Sequence, residues 1–170
     1  MRYLEGGRVM ATRSSLWSPR WFGPVVLILA IVGAQSAAAS GPPESSSGTF
    51  GPTGAPAAVS VRTADGNTFR TVTARPGRFT GTFTGAYSED LRLVFHADGS
   101  FNFAAELTCQ CTVDGKTGTM TIKLDGTGSP AAFDAHYRII AATGGLEGLQ
   151  GQGTLSGPVP STYSGEHHFS

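Results

Sequence analysis

Chemistry in this chain could come from a pair of cysteines, four histidines and a few carboxylates set among aromatics. Cys109 and Cys111 are the only cysteines. At i and i+2 on an extended strand they share one face. Their Cα atoms would then lie about 6.6–6.8 Å apart, at the upper limit of disulfide reach, so a local bridge calls for a bulge or kink. Three readings stand: two small buried side chains, a Cys-Gln-Cys disulfide, or a metal or redox site. Two thiols make half a zinc site, and no second Cys pair or local His-x-His completes it. No metal and no cofactor are therefore expected.

His96, His136 and His168 fall on the polar parity of their segments, which predicts exposure. His167 shares parity with Tyr163 and Phe169, and could serve as a base or hydrogen-bond donor at the mouth of a closed sheet. Glu106 and Asp134 also sit on polar parity, pointing away from the apolar face. There is no Gly-x-Ser-x-Gly elbow, phosphate loop, dinucleotide fingerprint or His-Glu-x-x-His pair. No catalytic set is assigned.

The elements that must position these groups are strands. Phe101, Phe103, Ala105, Leu107, Cys109, Cys111 and Val113 alternate with Asn102, Ala104, Glu106, Thr108, Gln110 and Thr112. Period-two alternation makes one apolar and one polar face. Asp114-Gly115 then suits a two-residue hairpin turn that needs positive φ. Lys116–Asp125 alternates next. Asp98-Gly99 joins an upstream strand, Leu91–His96, to Phe101. Further alternations run through Phe79, Gly81, Phe83, Gly85 and Tyr87; Phe133 to Ile139; Gly151 to Gly157; and Tyr163 to Phe169. A weaker strand falls near Val59–Arg62 or Thr68–Ala74. About eight short antiparallel strands without a convincing helix predict an all-β barrel or sandwich. Glycines on the same parity as aromatics favour the barrel, because small residues beside large ones fill a tapering interior.

Inward parity makes Phe83, Tyr87, Phe101, Phe103, Cys109, Cys111, Tyr137 and His167 the expected barrel lining. The aromatic set is core in the first instance; in a small barrel it could also line an apolar ligand cavity.

Twelve Lys+Arg balance twelve Asp+Glu, and 14% of residues are charged. Without a basic excess, a nucleic-acid partner is not expected. The balance is uneven along the chain. Arg2, Arg8, Arg13 and Arg20 face one acid, Glu5, before an apolar run at Val25–Ala34 and a small-residue stretch ending near Ala39. That order predicts a secretory signal peptide over 1–39; the run is short of the roughly 20 residues of a membrane span. Beyond it stand eight bases and eleven acids, a net charge of −3. This mild acidity disfavours anionic membranes. Residues 40–56, rich in Gly, Pro and Ser, are expected as a disordered linker, and 57–170 as the barrel domain.

Ala142-Thr143-Gly144-Gly145-Leu146-Glu147-Gly148-Leu149-Gln150-Gly151-Gln152-Gly153, with the closing Tyr163–Phe169 segment, resembles the Gly-rich segment of allene oxide cyclases and dirigent proteins. The pattern Gly81–Gly85, Phe95–Phe101 and Val113–Thr119 resembles bacterial secreted proteins of unknown function assigned to that superfamily. The resemblance covers roughly 78–169 and rests on glycines and turns. It implies an eight-stranded antiparallel up-and-down barrel, and homo-oligomers, since some plant members form trimers. The cyclases' catalytic residues have no assigned counterpart, so their substrate does not transfer. The expected function is that of an exported barrel that binds a small apolar molecule. The alternatives are a cofactor-independent cyclase or isomerase, or an extracellular structural or interaction module.

Overall fold

The computed structural model describes residues 41–170; the expected signal peptide lies outside the described residues. Nine antiparallel strands follow in chain order: β1 (Glu44–Pro52), β2 (Ala58–Ala64), β3 (Asn67–Gly81), β4 (Thr84–Phe95), β5 (Phe101–Val113), β6 (Lys116–Gly128), β7 (Phe133–Gly144), β8 (Leu149–Gly157) and β9 (Ser161–Phe169). Neighbours run β1-β9-β8-β7-β6-β5-β4-β3-β2, and β1 pairs with β3 as well. Eight strands therefore close into a ring, while β2 stays outside it on the edge of β3. The described residues contain no helix.

The ring closes through the segment expected to be a disordered linker. β1 pairs with β9 from Glu44 to Phe50, and with the last residues of β3 from Gly48 to Pro52. Ser46 and Phe50 point inward and are buried. Isolated, such a Ser/Gly/Pro segment cannot offset its ordering entropy. Between two open strand edges its backbone N–H and C=O groups are satisfied on both sides, and that decides the outcome.

The run from Phe79 to Tyr87, expected as one strand, is two. β3 ends at Gly81, whose φ is +101°, and Thr82 N–H donates to the carbonyl of Ser47 at 2.9 Å. The chain reverses there, so Phe79 and Phe83 both reach the interior from opposite sides of a turn. Both weaker candidate strands exist, as β2 and β3, joined by Asp65-Gly66 with both φ values positive. Asp114-Gly115 has the same left-handed pair. Asp98 does not, and Asp98-Gly99 instead sits in a loop in which His96 N–H donates to Ser100 O.

Interior packing depends on where side chains are missing. Gly153 pairs with Gly165 across β8 and β9, and the Tyr137 ring lies over both. A Cβ on either glycine would stand 2.6 Å from the tyrosine. Phe83 stacks on Tyr163 at 5.1 Å and meets Tyr137 edge-on at 6.2 Å. At the β7–β8 end Leu146 turns inward from a tight turn and is fully buried, plugging the ring.

Gly153→Val is expected to destabilise the protein by about 1–3 kcal/mol through overpacking. Gly41→Ala, where a Cβ would meet nothing within 4 Å, is expected to leave it unchanged. Urea unfolding of both variants checks this; equal midpoints would remove the packing role given to Gly153.

Candidate functional site

Six of the eight expected lining residues meet in the interior. Phe83, Tyr87, Cys109, Cys111, Tyr137 and His167 are all buried. Phe101 and Phe103 are half-buried. They extend the aromatic cluster toward the opposite end, where Phe103 meets Phe133 edge-on at 5.4 Å. Glu106 and Asp134 point outward and are exposed, as their parity predicts, and so is His136. His96 and His168 are half-buried instead; the His96 ring is held between Asn67 and Asn102.

Cys109 and Cys111 form a disulfide, with Cα atoms 5.3 Å apart. Of the bulge or kink expected for such a bridge, no bulge is found: pairing with β4 and β6 runs unbroken past both residues. The strand contracts locally, and Cys111 lies between Gly85 and Gly118 on the two neighbours, which leaves room. Both sulfurs are enclosed by the core, so among the three readings the bridge is structural in position.

The interior also holds polar groups. Tyr163 Oη accepts from Phe83 N–H at 2.8 Å and donates to Thr80 O at 3.2 Å. Burial pushes its pKa up to about 12. Tyr137 Oη is hydrogen-bonded to Ser46 Oγ at 2.9 Å, and burial raises its pKa too. Tyr87 Oη is buried with no partner. Its pKa is raised, first by burial and then by the nearby Glu89 carboxylate.

Glu89 was not singled out in the sequence, although it shares parity with Tyr87 and Leu91 on β4. It is 3% exposed and lies inside the ring. Arg75 Nε donates to its Oε2 at 2.6 Å, and an Arg75 Nη atom pairs with the same oxygen. Arg75 faces inward because β3 bulges between Val72 and Arg75, with Ala74 at φ +50° and its N–H held by Asp90 Oδ1 at 2.8 Å. A bulge re-aims a side chain and is common beside functional sites. Burial raises the Glu89 pKa above its ordinary 4.5, and the Arg75 cation opposes this without cancelling it. A carboxyl with strengthened proton affinity, a cation and a free phenol hydroxyl inside an apolar enclosure can orient a polar group or exchange a proton with it.

A second constellation lies at the end of the ring that carries the β5–β6 turn. His167 Nε2 is 2.8 Å from Asp114 Oδ2, and Glu44 stands beside both. His167 is 2% exposed, with Nδ1 buried and unpartnered. Its imidazole meets the Phe83 ring edge-on at 6.0 Å. No sequence spacing links residues 44, 114 and 167. A shallow concavity of about 860 Å³ on the outer face of β6–β9 has mixed charges, among them Lys123, Asp125, Arg138 and Glu166.

Glu89 binds a proton more tightly folded than unfolded. Its contribution to stability is therefore complete below pH 4.5 and is lost as pH rises through its raised value. Glu89→Gln lacks this loss, so its stability relative to the unmodified protein is expected to rise between pH 4 and pH 7. Urea unfolding at both pH values measures the difference; a fall would mean that Arg75 outweighs burial.

The sequence profile described as "Protein of unknown function (DUF3224)" matches residues 46–168, which takes in all but the first two residues of β1 and the last of β9. No curated protein matches the chain. A crystal structure of a protein of unknown function from the same family, from Shewanella oneidensis MR-1, is similar in fold. It has a TM-score of 0.61 at 16% identity, over 76% of this chain and 98% of that one. At that identity the likeness concerns the fold alone. The extent of the profile match, running from the ring-closing strand to the last strand, places the chain in the DUF3224 family.

Proposed function

We propose that the ring is an eight-stranded up-and-down barrel, similar to that of allene oxide cyclases, in an exported protein that binds a small, largely apolar molecule. The molecule carries one neutral polar group, received beside Tyr87 and Glu89. The observation that carries this reading is the unpartnered Tyr87 hydroxyl among aromatic side chains, next to the buried Glu89 and its half-buried partner Arg75. A buried donor without a partner costs free energy, on the order of 1–3 kcal/mol, that a ligand acceptor would restore. Arg75 and Glu89 already neutralise one another, so a neutral head group such as a carbonyl, hydroxyl or epoxide fits better than an ion. The apolar body would lie against Phe50 and Phe79, which flank Tyr87, with Phe133 beyond Phe50.

A second reading, a cofactor-independent isomerase or cyclase, draws support from Glu89. A carboxyl whose proton affinity is strengthened by burial is suited to act as a general acid. In that case Glu89 would give a proton to the ligand oxygen and Arg75 would steady the resulting carboxylate.

Titration with Nile red, a neutral lipophile bearing a carbonyl acceptor, tests the binding reading. Saturable binding is expected, with Tyr87→Phe weakening it roughly 3- to 10-fold, the range of one hydrogen bond. Ile140→Ala, on the exposed outer face, should bind as the unmodified protein does. Absent binding, or equal affinity for Tyr87→Phe, would overturn the reading. Native mass spectrometry of protein recovered from culture medium tests export and any carried ligand together.

A further inference from the structure

We propose that Glu44, Asp114 and His167 form a binding site for a divalent transition-metal ion of the zinc class, at the end of the ring opposite the Phe101–Phe133 aromatics. The site is separate from the Tyr87–Glu89 group and does not depend on it.

One potential ligand atom from each residue lies within 4.8 Å of the other two. Four-coordinate zinc, with bonds of about 2.0–2.2 Å, holds its ligand atoms about 3.4 Å apart, so only a small closure is needed. The imidazole is already placed. His167 is almost fully buried and set edge-on against Phe83, so little rotational freedom remains to be lost. Glu44 and Asp114 are exposed and can adjust their rotamers.

Charge favours a dication. Two carboxylates converge, and among the described residues neither forms an ion pair with Lys or Arg. Lys116 follows Asp114 by two positions, yet its ammonium lies 3.6 Å over the Phe169 ring. Glu44, Asp114 and His167 open into a cleft of about 340 Å³, with His168 at its rim, which leaves space for a water or small ligand on a fourth position. One imidazole with two carboxylates is a donor set for zinc, manganese or iron; calcium prefers oxygen alone.

His167 Nε2, the ring nitrogen that faces Asp114, is the one that would bind the metal, and Nδ1 is buried behind it.

Calorimetric titration of the chelator-treated full protein with zinc chloride at neutral pH is the test, paired with thermal unfolding with and without zinc. One zinc per chain and a raised Tm are expected. Asp114→Asn keeps the turn, since Asn tolerates the φ of +50° found there, and Glu44→Gln alters only an exposed side chain. Each should weaken zinc binding at least tenfold and lose most of the Tm rise, while Glu166→Gln on the outer face should bind normally. His167→Gln should abolish binding; should it fail to fold, the two exposed variants decide alone. Unchanged affinity in Asp114→Asn and Glu44→Gln, fewer than one zinc per folded chain, or displacement of zinc by equimolar calcium would each overturn the site.

Discussion

Tyrosine rings lying across glycine backbone are the contact on which the rest of this structure depends. Tyr137 covers Gly153 and Gly165, Tyr163 covers Gly48, and Tyr87 covers Gly77. Each ring occupies the volume where a Cβ would stand. Few, large side chains thereby line the ring of strands, and the glycines that admit them lie on several strands around it. The same arrangement carries the three phenol hydroxyls inward. Two of them find partners at Ser46 and at the Phe83 and Thr80 backbone, and the third does not.

That packing explains why polar chemistry collects at two places. Toward one end the β3 bulge turns Arg75 inward to meet Glu89, below the Tyr87 ring. At the other, His167, near the end of β9, is backed by Phe83 and opens onto the hairpin tip at Asp114. Between them the aromatics and the Cys109–Cys111 bridge form continuous core. The bridge closes a very short loop, so its constraint on the unfolded chain is small, on the order of 1–2 kcal/mol. Its position inside β5 makes it part of the packing.

Parity along β5 and β6 was readable because both strands have one face inside and one outside over their whole length. Leu107, Cys109, Met120 and Ile122 are inward for the same reason that Glu106 and Lys123 are outward. The turn at Asp114-Gly115 was readable because its backbone demands a left-handed pair. Phe79 to Tyr87 misled for a physical reason as well: alternation continues through a reversal when both flanking strands send the same face inward. Glu89 shared the parity of its aromatic neighbours and could have been found. Arg75 shares the parity of Gly77 and Phe79, and only the bulge before it breaks the alternation with Val72.

Alternating side chains and Asp-Gly turns determined, from sequence alone, an antiparallel all-β chain with an aromatic-glycine interior. Local preference suffices there, since each strand's two faces are written in consecutive residues. Tertiary structure alone decided that residues 44–52 form a strand, because a Ser/Gly segment gains order only from two open edges. It also decided that Glu44, Asp114 and His167 converge. Residues so distant in sequence meet only when β1 docks between β9 and β3, and no local pattern encodes the closure of a ring.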